Sequence, residues 1–173
     1  MSRGRAPRGQ NPADAELELV AELERIYAEA EQLYAGWSCE ASTDCCHFER
    51  TGREPYVTSL ELSYLMRAVR KSGRAIGAQP SPRKLPVLAS GEGRCPLLDA
   101  AGRCSVYAAR PIGCRTFWCE RRRETHPGRH RDMNELVRRI QDLAARHTEG
   151  GERGRPLRRA IELCPGGRLP PRW

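Results

Sequence analysis

The 173-residue chain predicts a small, mainly α domain of irregular build, with about three helices plus a short β-hairpin or loops around a cysteine cluster. Three observations carry that expectation. Apolar residues recur at helical spacing in three segments, separated by stretches rich in Gly and Pro. The hydrophobic fraction is 39% and the aromatic fraction 6%, so the apolar core is lean for the length. Of the eight cysteines, all but Cys164 lie between Cys39 and Cys119, in a part of the chain with little regular pattern.

Residues 1–11, rich in Arg, Gly, Pro and Asn, read as a disordered N-terminal tail. Asn11 can cap a helix, Pro12 suits its first turn, and Asp14 and Glu16 favour its positive end. Leu19, Leu23, Ile26, Ala30 and Leu33 then form a stripe, widened by Val20, Tyr27 and Tyr34, which predicts an amphipathic helix ending near Gly36. A second helix is expected over 59–71, where Thr58 and Glu61 have capping-box spacing and Gly73 can end it. Residues 73–94 read as a long loop. The stretch CPLLDAAGRCSVYAARPIGCR, Cys95 to Arg115, places two short apolar pieces around Asp-Ala-Ala-Gly, a hairpin or tight-loop signal. Its YAARP piece reads as one helical turn broken by Pro111. A third helix is expected from about Met133 to His147, capped by Asp132 and Glu135, with Leu136, Ile140, Leu143 and Ala144 inward and His147 placed favourably at its negative end. The domain therefore spans 12–149, and 150–173 is an Arg/Gly/Pro-rich C-terminal tail with one apolar piece, RRAIELC.

Composition narrows the function. No apolar run approaches the roughly 18 residues of a membrane helix, and the basic N-terminus has no apolar stretch behind it, so a cytoplasmic protein without a membrane partner is expected. The net charge of +8 invites a nucleic-acid reading, but Lys71 and Lys84 are the only lysines and the arginines are scattered through tails and helices. Even the densest basic run, ERRRETHPGRHR from Glu120 to Arg131, reads as a solvated loop. In a reducing compartment, clustered cysteines bind metal or do redox chemistry more often than they form disulfides. Thiolate sites need sulfurs that converge, and short spacings broken by turn residues achieve this cheaply. Gly102, Pro111 and Gly113 sit between the cysteines in this way. Arg94, Arg103, Arg110 and Arg115 lie close by, where positive charge would favour thiolates. A Cys-Cys-His-His finger through Cys114, Cys119, His126 and His130 is disfavoured, because its central gap is about half the usual length and His126 precedes a Pro-Gly break. His47 reads as a surface residue more than a ligand.

Two boxes resemble a known family. CEASTDCC, from Cys39 to Cys46, is similar to the C-x-x-C-x-x-C-C box of the YkgJ-type cysteine-cluster proteins, described as zinc- or iron-chelating domains. CPLLDAAGRCSVYAARPIGCR is similar to that family's second box, which joins its cysteines to Pro96, Gly102, Tyr107, Arg110, Pro111 and Arg115. The resemblance covers about 37–119. Ser42 replaces the second cysteine of the first box, and serine is a poor ligand for soft metals. The resemblance implies Cys39, Cys45, Cys46, Cys95, Cys104 and Cys114 as metal ligands, and Cys119 joins them as this chain's own addition. The preferred four are Cys46, Cys95, Cys104 and Cys114, with Cys45 as first reserve. Spacing does not separate a [4Fe–4S] cluster from Zn2+; the excess of thiols and the adjacent Cys45-Cys46 tip the expectation toward iron–sulfur.

The expected function is that of a metal-binding protein whose cluster is structural or carries electrons to a redox or protein partner. The alternative is a zinc-stapled interaction module with a basic surface, open to nucleic acid. No catalytic constellation stands out. An enzyme built on this chain would be an iron–sulfur oxidoreductase.

Overall fold

The computed structural model describes residues 11–33, 35, 43–73, 93–116, 129–164, 169 and 173. Residues 1–10 of the expected tail, most of the expected loop, and Cys39, Ser42, Cys119 and His126 lie outside the described residues. Those described form a small, mainly helical protein with six helices and one two-stranded antiparallel sheet.

The first helix, α1 (Pro12–Leu33), opens as expected, with the Asn11 carbonyl accepting from the amides of Asp14 and Ala15. Its stripe of Leu19, Leu23, Ile26, Tyr27 and Ala30 packs on Met133, Leu136, Ile140, Leu143 and Ala144 of the long helix α5 (Arg129–His147). This helix begins before Met133, the expected start. Asp132 therefore sits inside its first turn, where a carboxylate offsets the exposed positive end. Arg139 grips Glu29 with two hydrogen bonds of 2.6 and 2.8 Å, which orient α5 on α1.

Between these helices and the rest of the molecule stands α3 (Ser59–Lys71), with the expected bounds and capping box. Leu60 joins the helical core, whereas Leu62, Leu65, Met66 and Val69 face a second core. The one helix therefore serves two layers. His147 ends α5 as expected, but its main contacts lie elsewhere. Its Nδ1 lies 3.0 Å from Ser59 Oγ and its Nε2 3.7 Å from Glu16, joining α1, α3 and α5.

The second core is built from short pieces. It gathers Phe48 of α2 (Phe48–Thr51), Val57 of β1 (Tyr56–Val57), Leu97, Val106, Cys95 and Cys164. The C-terminal segment contributes as well. β2 (Arg155–Pro156) pairs with β1, Tyr56 opposite Pro156 and Val57 opposite Arg155. The apolar piece that follows is α6 (Leu157–Glu162), which buries Leu157, Ala160 and Ile161, and Trp173 is buried in the same core. Glu54 holds this segment by accepting from the Arg158 amide at 2.6 Å and from its guanidinium at 3.0 Å.

The 95–104 stretch closes as a tight loop with one antiparallel bridge, Leu98 opposite Cys104, followed by a hydrogen bond from the Ser105 amide to the Leu97 carbonyl. YAARP forms the expected single turn, a 3-10 turn over Tyr107–Ala109, and α4 (Ile112–Thr116) begins beyond Pro111.

Candidate metal centre

The first cysteine box enters through Thr43, whose φ of 57° is the left-handed conformation, and continues as a 3-10 turn over Asp44–Cys46. The turn presents Cys45 and Cys46 side by side, their sulfurs 3.9 Å apart. Backbone pairing then brings the second box to the first. His47 bridges Arg94 in antiparallel fashion, the Cys95 amide donates to the Cys46 carbonyl at 2.8 Å, and the Phe48 amide donates to Gly93 at 2.6 Å. Cys46 and Cys95, far apart in sequence, become cross-strand neighbours. His47 contributes through its backbone, as a link between the boxes.

The next two sulfurs depend on local turn chemistry. The Asp99 carboxylate accepts from the amides of Ala101 and Arg103 at 2.9 and 2.8 Å, and Gly102 adopts a φ of 73°, so the chain reverses and returns Cys104 toward Cys95. Past Pro111, α4 carries Cys114. Gly113 lies in close approach here, since a Cβ would lie 3.1 Å from the Pro55 side chain and 3.2 Å from the Tyr56 carbonyl. Cys45, Cys46, Cys95, Cys104 and Cys114 consequently line one cavity of about 570 Å³. Its remaining wall is largely apolar, with Phe48, Leu65, Leu97, Val106 and Leu157. All six described cysteines are free thiols. Cys164 is buried among apolar residues of the second core and does not line the cavity. Cys39 and Cys119 lie outside the described residues.

The site's electrostatics follow from this crowding. The hydrogen bond with Cys46, together with burial, pushes the Cys45 thiol up. For Cys46, the bond with Cys45 pulls down, but the bond with Cys95, burial and the neighbouring thiols outweigh it and raise the group to about 12. Burial raises Cys104, and it raises Cys114 with help from Cys46, Cys104 and Cys45. Without a cation these thiols stay protonated at neutral pH, because charge on one opposes charge on the next. A bound metal reverses that balance. The donor set fits a soft metal or a metal–sulfur cluster: five thiols, Cys95 buried and the other four partly buried, line one cavity. Among the described residues, no three His, Cys, Asp or Glu side chains already form a metal-holding group.

Three of the four neighbouring arginines, Arg110, Arg103 and Arg115, differ in role. Arg110 lines the cavity and its charge acts on Cys45, Cys104 and Cys114; its guanidinium lies 3.5 Å from the centre of the Tyr107 ring. Arg103 also lines the cavity, near Asp99. Arg115, expected to favour thiolates, turns away. It is 6% exposed, donates to the Arg110 carbonyl at 2.7 Å and to the Ala108 carbonyl, pairs with Glu31, and stacks 4.2 Å over Tyr27. A buried guanidinium needs such partners, and here it closes the turn between Cys104 and Cys114. Residues outside both boxes also shape the site. Glu61 and Tyr27 meet α4, and Leu157 of the C-terminal segment forms part of the wall. Glu61 carried a sequence signal only for its own helix cap, and Leu157 only as part of an apolar piece.

One other arrangement has chemical form. Ser59, His147 and Glu16 stand in a line, but Ser59 is 0% exposed beneath Gly151 and no substrate could reach it.

A family model described as CxxCxxCC, a "putative zinc- or iron-chelating domain", matches residues 38–133, more than half of the chain. No curated protein and no solved structure matches.

Proposed function

Because the chain belongs to the CxxCxxCC family of zinc- or iron-chelating domains, we propose that its cavity holds a [4Fe–4S] cluster with a structural or electron-transfer role. One observation carries this reading: five thiols from both boxes line a single cavity whose two sides are tied by backbone pairing at Cys46 and Cys95. The ligands proposed are Cys46, Cys95, Cys104 and Cys114, with Cys45 in reserve. A cavity of about 570 Å³ leaves room for more than one ion. A bound cluster would supply one-electron chemistry and charge to neutralise thiolates. This chain's own part is to exclude water with its apolar wall and to set Arg110 against the negative charge.

Zinc is the second reading, and one distance favours it. The Cys45–Cys46 separation of 3.9 Å is close to the edge of a zinc–thiolate tetrahedron, about 3.8 Å for Zn–S bonds of about 2.3 Å. Anaerobic purification with metal analysis, sulfide analysis and a visible spectrum decides between them. A brown protein containing iron and sulfide is the expected result. A colourless protein with stoichiometric zinc would establish the second reading, and a chain that retains neither metal would remove both.

A further inference from the structure

Glu61 lies about fifty residues from Cys114 in sequence and belongs to neither cysteine box, yet it is 1% exposed and its carboxylate accepts four hydrogen bonds. One carboxylate oxygen accepts from the Thr58 amide and the Thr58 hydroxyl, each at 3.0 Å, completing the cap of its own helix. The other accepts from the Tyr27 hydroxyl at 3.1 Å and from the Ile112 amide at 2.8 Å. Ile112 is the first residue of α4, the five-residue helix that carries Cys114. So short a helix does not stand alone, and its first amides have no partner within it. Pro111 before it adds no N–H. Glu61 therefore acts as a cap supplied from another helix, one of its oxygens accepting from the first amide of α4.

We infer that Glu61 is a positioning residue for the metal centre, holding α4 so that Cys114 faces the other thiols. The inference rests on the metal-binding reading above. Its geometry is specific to a carboxylate, since four donors converge on a group that only accepts. An amide in its place would turn an N–H toward one of those donors.

The test compares Glu61→Gln with Leu143→Ala, which opens a hole in the helical core, in the full chain. Two quantities are read: amide exchange over residues 112–116 of the chain as purified, and zinc affinity by chelator competition. Glu61→Gln should speed exchange in 112–116 and weaken zinc binding by about 10–100-fold, the range for lost partners of metal ligands. Leu143→Ala should do neither beyond its effect on global stability. Thr58→Ala, which spares the Ile112 contact, should retain most of the affinity. Equal exchange over 112–116 in Glu61→Gln and Leu143→Ala would overturn the inference. A wild-type chain that binds no metal in the same titration defeats the metal-binding reading instead, while the exchange comparison still decides whether Glu61 holds α4.

Discussion

The two cores are stabilised by different means. The helical core joins two long helices, each burying a continuous apolar stripe, with Leu60 of α3 and Ile112 of α4. The second core, beside the cavity, joins the other face of α3 to helices of four to six residues, two-residue strands and turns. Elements so short have no stability of their own. Five polar thiols sit where further apolar side chains would otherwise pack. The helices supply a scaffold through periodic burial, whereas the cysteine side needs a cross-link. A structural thiolate–zinc site can contribute about 10–16 kcal/mol of apparent binding energy, against about 5–15 kcal/mol for a whole domain.

The largest test of that contrast is to remove the cross-link. Chelation, or Cys104→Ser or Cys114→Ser, should abolish metal retention and amide protection over 93–116 and in β1 and β2, while α1 and α5 keep theirs. Cys164→Ser, remote from the cavity wall, should keep its metal. Uniform loss of protection along the chain would show that the two cores are one cooperative unit.

Core truncations come next. Leu65→Ala, on the cavity side of α3, and Ile140→Ala, in the helical core, should each cost about 2–5 kcal/mol in urea melts of the metal-loaded chain. Only Leu65→Ala should also lower metal retention, because Leu65 lines the cavity. Equal effects on metal content would blur the division at α3.

A smaller difference is expected from pH, and it falls on the helical side. Burial holds the His147 imidazole below its ordinary range, against the pull of Glu16. The unfolded chain therefore takes up this proton first, and stability present above about pH 6.5 declines as pH falls below it. Burial pushes the Glu16 carboxyl up, but Ser63, Arg67 and His147 together hold it below its ordinary value. Its contribution is present above about pH 4.5 and is lost as pH falls through the lower folded-state value. Urea midpoints between pH 7.5 and 5.5 should fall in wild type and fall less in His147→Gln. A slope unchanged by that substitution would place the titrating group elsewhere. The smallest effect belongs to the exposed pair Arg138–Glu135 on α5; Glu135→Ala should shift the midpoint by no more than about 0.5 kcal/mol.

What the sequence by itself determined was local. The bounds of α3 followed from the Thr58–Glu61 cap, α1 from its apolar stripe and Pro12, and the reversal at Gly102 from Asp99 and glycine; each of these signals acts within a few residues. The cysteine spacing and the flanking Arg-Pro step likewise mark the second box in the sequence. Tertiary structure alone decided the rest. The pairing of Val57 with Arg155, the turn of Arg115 toward Tyr27 and Glu31, and the reach of Glu61 to Ile112 join residues that share no local pattern. A periodic stripe shows that a face will be buried, but its partner is selected only when the whole chain packs and each buried polar group must find a donor or acceptor.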